Sequence, residues 1–150
     1  MDLGEVKAYV HAHIPITACL EADFTEYSGD ALVVEAPLEA NINHRHSAFG
    51  GSMSAIGILS GWGLLFIKLR ELGMENTLVI QSSSFEFGKP AVASFQAVAK
   101  IPSPEKFERF VKMLKRKGRA RLGVESEIFC EGEKVGVHRG EYVALLLDQS

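Results

Sequence analysis

Residues 46–67, HSAFGGSMSAIGILSGWGLLFI, decide the fold, because these 22 residues contain no Asp, Glu, Lys or Arg. Their length would just cross a bilayer, but five glycines and four serines dilute the hydrophobicity that membrane insertion requires. A helix that is apolar on every side belongs in the interior of a protein. The sequence therefore predicts a buried central helix from about Gly51 to Leu72, closed by Gly73, and no membrane association.

The sequence on both sides of this helix has the alternating pattern and the turn residues of β-strands. Strands are predicted at residues 18–26, 31–37, 77–87, 92–101, 121–130 and 134–147, with a helix over residues 3–13 and a short amphipathic helix between Pro104 and Gly118. An all-apolar helix must be enclosed, and a sheet of these strands is the only partner that the chain offers. We expect one α+β domain over residues 1–150, in which a curved antiparallel sheet of about six strands wraps around the central helix.

Two features predict how this arrangement packs. Gly57 and Gly61 lie one turn apart and leave a strip without side chains, where the sheet can approach the helix closely. The sheet also leaves a long edge strand exposed, and pairing that strand with a second copy would cover it. We therefore expect a homodimer.

Composition excludes some classes of function. The 150 residues carry a net charge of −3, which does not favour the phosphate neutralisation that nucleic-acid binding requires. Cys19 and Cys130 are too few and too far apart for a disulfide framework, and the first ten residues lack the hydrophobic core of an export signal. We expect a cytoplasmic protein without a nucleic-acid partner.

Several short motifs resemble one family. The segment from Asn43 to Phe49-Gly50-Gly51 resembles the hot-dog thioesterase motif Asn-x-x-Gly-x-x-His-Gly-Gly, and residues 87–91, FGKPA, resemble its aromatic-x-Arg-Pro-Ala segment. Residues 41–43, 48–52 and 61–63 are similar to the YiiD C-terminal type of thioesterase. The resemblance implies a hot-dog fold and hydrolysis of acyl-CoA or acyl-carrier-protein thioesters, without a cofactor. Beyond the homodimer expected from the edge strand, a dimer of dimers stays open.

The departures from that family concern the mechanism. Phe49 stands where the motif has His, and His46 stands where it has the inner Gly. Many members carry a catalytic Asp or Glu seven residues after the Gly-Gly pair, where this chain has Ile58. Trp62 replaces a Ser or Thr one turn later. The fold carries over, but the general base of the reaction does not.

Candidate catalytic groups lie around the start of the central helix. Backbone N–H groups of Gly50, Gly51 and Ser52 would face an oxyanion, and the alternative, that the glycines only allow a tight turn, is compatible with this role. By the resemblance, Asn43 would orient water or hold the thioester carbonyl, and the alternative is an Asx turn. His46 is the candidate general base and His44 a neighbouring contact, since both have ordinary pKa values close to neutrality.

Other residues are candidates for binding the acyl group. Phe49 and Trp62 suit an apolar chain, and Gln81 and Ser83 share a predicted strand face with Phe85 and Phe87. Gln81 and Ser83 would line a polar end of the pocket, or form a hydrogen-bond ladder on the sheet. No metal site is expected, because His44 and His46 alone supply too few ligands, and the other histidines, His11, His13 and His138, do not cluster with them in sequence.

A basic segment is compatible with more than one kind of surrounding. Residues 106–121 hold eight of the 16 Lys and Arg residues, which would either be solvated or meet coenzyme A phosphates or an acidic carrier protein. Two alternatives to hydrolysis also stay open. One is a binder of acyl thioesters that has lost the acid at Ile58, and the other is a hot-dog hydratase or dehydratase, which pairs a His with a carboxylate.

Overall fold

A computed structural model describes residues 2–147, and it contains six strands and four α-helices in this part of the chain. The helices are α1 (Leu3–His13), α2 (Ile16–Cys19), α3 (Gly50–Glu71) and α4 (Pro104–Lys117), with a 3₁₀ turn at Glu39–Asn41. The strands are β1 (Asp23–Tyr27), β2 (Ala31–Ala36), β3 (Asn76–Phe87), β4 (Phe95–Lys100), β5 (Arg119–Cys130) and β6 (Glu133–Leu146). The predicted element order is confirmed, except that residues 16–19 form a helical turn rather than the start of a strand.

The strands form one antiparallel sheet in the order β1-β2-β4-β5-β6-β3. This sheet curves around α3, which contacts β2 to β6, so the predicted hot-dog architecture is confirmed. α4 packs against β5 and β6 through its buried Phe110 and Leu114. Strand β3 lies at the end of the sheet and has a neighbour on one side only, β6.

α3 meets the sheet along the predicted glycine strip. A Cβ atom on Gly57 would lie 2.7 Å from Cβ of His138, and one on Gly61 would lie 2.7 Å from Cζ of Tyr142. Both distances are too short for real Cβ contacts, so glycine is required at both positions for the helix to lie this close. α3 has the length and composition of a membrane-spanning helix, but 67% of its apolar window is buried inside the fold, as in a core helix.

Candidate functional site

The N-terminus of α3 presents unpaired hydrogen-bond donors. Its cap residue, Phe49, has extended backbone angles, and the first intrahelical bond runs from the N–H of Met53 to the carbonyl oxygen of Phe49 at 3.1 Å. Within residues 2–147, no acceptor pairs with the N–H groups of Gly50, Gly51 or Ser52. Unpaired donors and the helix dipole together favour a negatively charged oxygen at this end of the helix.

Two exposed aromatic rings frame these donors. The Phe49 ring folds over Gly51, and Cε1 of Phe87 lies 3.2 Å from where a Cβ on Gly50 would be. Phe49 is 58% exposed and Phe87 is 57% exposed, although both are large apolar side chains. The start of α3 is therefore a polar backbone site edged by apolar surface, which is the kind of surface that an acyl chain can cover.

Asn43 shapes the loop that leads to α3. Its Oδ1 accepts hydrogen bonds from the backbone N–H of Arg45 at 2.8 Å and of Ser47 at 3.1 Å. Its Nδ2 donates to Oγ of Ser47 at 3.1 Å. Both polar atoms of the amide are thus used inside the loop, as in the Asx-turn alternative. This geometry gives Asn43 a structural role and leaves its amide poorly placed to orient a water molecule.

His44 and His46 lie on the exposed tip of the same loop. Neither imidazole has a hydrogen-bond or ion-pair partner among the described residues, which include the whole loop. His46 has a left-handed backbone with φ of 62°, a conformation that favours glycine. That conformation explains why the family's motif has Gly at this position. Nothing in the structure orients His46 as a general base.

A β-bulge between Ile80 and Ser82 separates the two polar residues that were predicted to share a face of β3. Ser83 lies opposite Gly140 on the face that α3 covers, together with Phe85 and Phe87. Gln81 instead lies on the outer face, where the guanidinium of Arg121 donates to its Oε1 at 3.4 Å. The prediction that Gln81 lines the same pocket end as Ser83 is wrong, because the extra residue of the bulge reverses the alternation.

Ser83 is hydrogen-bonded to a buried histidine that the sequence pattern did not identify. Its Oγ lies 2.7 Å from Nε2 of His138, which is fully buried on β6 beneath Gly57. Nδ1 of His138 has no hydrogen-bond partner among the described residues. Burial lowers the pKa of His138 from 6.5 to about 4. The imidazole is therefore neutral at pH 7, and it is hydrogen-bonded to Ser83, which is exposed on the edge strand β3.

Other buried polar groups surround this pair. Ser126 lies opposite His138 on β5, and its hydroxyl lies 2.8 Å from that of Ser60, which donates to the carbonyl oxygen of Gly57 at 2.8 Å. The hydroxyl of Tyr142 donates to the carbonyl oxygen of Ile58 at 2.9 Å, and burial raises the pKa of this tyrosine. The middle of α3 thus rests on neutral hydrogen-bonding groups, without a carboxylate.

Trp62 lies farther along α3 than the N-terminal donors. Its indole N–H donates to the carbonyl oxygen of Leu78 at 2.8 Å, and its ring stacks on Phe66 with centroids 4.8 Å apart. Twelve residues of helix separate it from Gly50, which corresponds to about 18 Å. Within one chain, Trp62 therefore belongs to a different part of the surface from Gly50 and Phe49.

Two further features bear on ligands and partners. Among residues 2–147, no group of three or more His, Cys, Asp or Glu side chains is arranged to hold a metal ion. The eight basic residues between Lys106 and Arg121 form no ion pair with any described carboxylate. α4 and the residues after it therefore present positive charge that the chain itself does not neutralise.

Comparison with known proteins identifies both the family and the fold of this chain. Residues 3–146 match the model of a family described as "Putative thioesterase (yiiD_Cterm)". The fold is similar to that of protein OLEI01261 of unknown function from Chlorobaculum tepidum TLS, at 27% identity, with a TM-score of 0.91 over 96% of this chain and 94% of that one. It is also similar to a putative thioesterase from Shewanella oneidensis (24% identity, TM-score 0.86, 95% and 96% of the two chains). Thioesterase HI1161 from Haemophilus influenzae shares the fold at 16% identity, with a TM-score of 0.79 over 99% and 94% of the chains.

Proposed function

Because this chain belongs to the YiiD C-terminal family of thioesterases, we propose that it is a cytoplasmic hydrolase of acyl-CoA or acyl-carrier-protein thioesters. The observation that carries the proposal is the set of three unpaired N–H donors at the start of α3, framed by the exposed Phe49 and Phe87 rings. No separate cofactor is needed, since hydrolysis of a thioester requires only water, a base and a site for the oxyanion.

In this reaction the N–H groups of Gly50, Gly51 and Ser52 hold the thioester carbonyl oxygen. Water attacks the carbonyl carbon, and negative charge develops on that oxygen as the tetrahedral intermediate forms. The C–S bond then breaks, and the products are a carboxylic acid and a free thiol. Because the donors are fixed by the helix, they need no reorganisation when the charge develops. The apolar rings of Phe49 and Phe87 cover the acyl group next to the carbonyl.

We propose a homodimer formed through β3, which can pair further into a dimer of dimers. The supporting observation is that this strand of 12 residues has a free edge, with Val79 and Phe87 among its exposed side chains. Long edge strands with apolar residues associate with other strands unless they are covered. Antiparallel pairing with a second copy of β3 would continue the sheet across a twofold axis.

The basic residues of α4, which form no ion pair with a described carboxylate, support an acyl-group carrier that has negative charge. The phosphates of coenzyme A and the acidic surface of an acyl-carrier protein share this chemistry, so the choice between the two requires a direct assay. Free thiol release should be followed with a chromogenic thiol reagent across short, medium, long and aromatic acyl groups, each presented on both carriers. Release from either carrier supports hydrolysis and identifies the acyl class.

The oxyanion site is tested by changing Gly51. Gly51→Pro removes one N–H donor, whereas Gly51→Ala keeps it and serves as a matched control, since the Cβ of either residue meets the exposed Phe49 side chain first. Loss of one oxyanion donor lowers kcat by about 10²–10³-fold. Equal activity of the two variants would contradict the assignment of Gly51 as a donor.

A second candidate function has one specific observation in its favour. Ile58 occupies the family's acid position, and α3 has no carboxylate before Glu71. A protein that binds acyl thioesters without hydrolysing them would keep the donors and lack this acid. Saturable binding of an acyl-CoA without thiol release by the wild-type protein would favour the binding function. A hydratase gains no support, because no described carboxylate lies beside His138.

A further inference from the structure

The proposed hydrolase lacks an obvious base, and one hydrogen-bonded pair of side chains fits that role. Ser83 is exposed on the edge strand β3, and its hydroxyl lies 2.7 Å from Nε2 of His138, which is fully buried. Nδ1 of His138 is buried without a partner among the described residues. Unsatisfied polar groups of this kind are rare in folded proteins, and one explanation for them is a role in catalysis.

The surroundings of His138 set its basicity. Its neighbours are Gly57 from α3, Ser83 and Phe85 from β3 and Ser126 from β5, and none of these carries a charge. Burial alone lowers the pKa of His138 to about 4, which is close to the ordinary pKa of an Asp or Glu side chain. The imidazole is therefore about as strong a base as the carboxylate that many family members carry at the position of Ile58.

We propose that Ser83 and His138 together accept the proton from the hydrolytic water, in place of the carboxylate that Ile58 does not supply. Ser83 is the group that contacts the water, and His138 acts through it. As the water oxygen bonds to the thioester carbon, a water proton passes to Oγ of Ser83, and the Ser83 proton passes to Nε2 of His138. When the C–S bond breaks, the leaving thiolate takes this proton back through Ser83. This inference rests on the proposed hydrolysis.

The site of this reaction requires two copies of the chain. Gly57, which covers His138, lies seven residues along α3 from Gly50, a distance of about 10 Å. The donors and the pair of one chain are thus too far apart to act on one carbonyl group. If two copies of β3 pair antiparallel about Phe85, Ser83 of one copy lies opposite Phe87 of the other. The Phe87 ring lies against Gly50, so each site combines the donors of one copy with the Ser83–His138 pair of the second.

The first test compares substitutions on β3 and β6. Ser83→Ala removes the proton relay, and His138→Gln keeps a hydrogen-bonding group beside Ser83 but cannot accept a proton. Each is expected to lower kcat by about 10²–10⁴-fold, with KM little changed and folding verified by circular dichroism. Ser82→Ala is the matched control, because Ser82 is an exposed serine on the opposite face of β3.

The outcomes separate this inference from the proposed function. Thiol release that survives either Ser83→Ala or His138→Gln overturns the proton relay and leaves the thioesterase intact. Loss of activity in His46→Ala, with Ser83→Ala still active, assigns the base to the loop and also overturns it. If the wild-type protein releases no thiol from any substrate, the proposed function and this inference fail together. Because Ser83 is exposed, its alanine variant provides a test even if His138→Gln does not fold.

Mixed dimers test the division of the site between copies. Ser83→Ala and Gly51→Pro homodimers are both expected to be nearly inactive. In a mixed dimer, one site carries both changes and the other carries neither. Random exchange of equal amounts makes half of the dimers mixed, so about a quarter of the wild-type activity should return. If no activity returns although mass spectrometry detects the mixed dimer, the shared site is wrong.

Discussion

Acidification should destabilise this fold through His138 in a measurable way. In the unfolded chain the imidazole has an ordinary pKa of 6.5, and in the folded protein burial lowers this pKa to about 4. As the pH falls below 6.5, the unfolded state binds a proton that the folded state cannot accept, so the free energy of unfolding decreases. The contribution is fully present above pH 6.5 and is lost as the pH falls towards 4.

The size of the effect follows from the two pKa values. Linkage gives a loss of less than about 1 kcal/mol between pH 7 and pH 6, about 2 kcal/mol by pH 5 and about 3 kcal/mol by pH 4. The groups that face His138 from α3, β3 and β5 do not titrate in this range. Tyr142, its neighbour on β6, has a pKa that burial raises. The change therefore belongs to His138.

Urea denaturation provides the assay, with the fluorescence of the single tryptophan, Trp62, as the signal. Wild-type protein and His138→Gln are compared at pH 7, 6 and 5, at one protein concentration because the stability of the proposed dimer would depend on concentration. The difference in unfolding free energy between the two proteins should change by about 2 kcal/mol from pH 7 to pH 5. The same difference at both pH values would refute a buried, neutral His138.

Two further substitutions test packing and the loop before α3. Gly57→Ala places a Cβ 2.7 Å from Cβ of His138. Such overpacking should lower the free energy of unfolding, measured in urea titrations, by about 1–3 kcal/mol. An unchanged midpoint of unfolding would mean that α3 and β6 are farther apart. Asn43→Ala removes the hydrogen bonds to Arg45 and Ser47, and should increase amide hydrogen exchange in residues 43–48, at a cost of about 1 kcal/mol. Unaltered exchange there would show that the loop does not depend on Asn43.

The parts of the fold that the sequence predicts are those governed by local periodicity. The uncharged stretch of α3 has no polar face, so burial is its only stable outcome, and the strands on each side show alternation. Gly57 and Gly61 were predictable as a contact strip because both lie on one side of a helix. The first strand was predicted too early, since Pro15 leads into the short helix α2 and the turn before β1 has no strong sequence signal.

The candidate site was less predictable because it depends on register. His138 and Ser83 are 55 residues apart and meet only because β6 pairs with β3. A signal was present in β6, where Gly136, His138, Gly140 and Tyr142 alternate on the face towards α3. The bulge that moves Gln81 to the outer face has no glycine or proline to indicate it. Register of this kind follows from the packing of the whole sheet.

In the proposed relay, replacing an acid by a buried imidazole removes a charge from the site while keeping its basicity. A carboxylate at position 58 would add a full negative charge to the middle of α3, and burying it would carry a desolvation penalty. Ile58 and neutral His138 leave this part of the site uncharged before the reaction. No other charge therefore competes with the helix dipole when the oxyanion develops. The transient imidazolium forms in surroundings that disfavour a charge, which promotes rapid return of the proton to the leaving thiolate. In this mechanism the burial that lowers the pKa of His138 also makes it an efficient proton donor in the second half of the reaction.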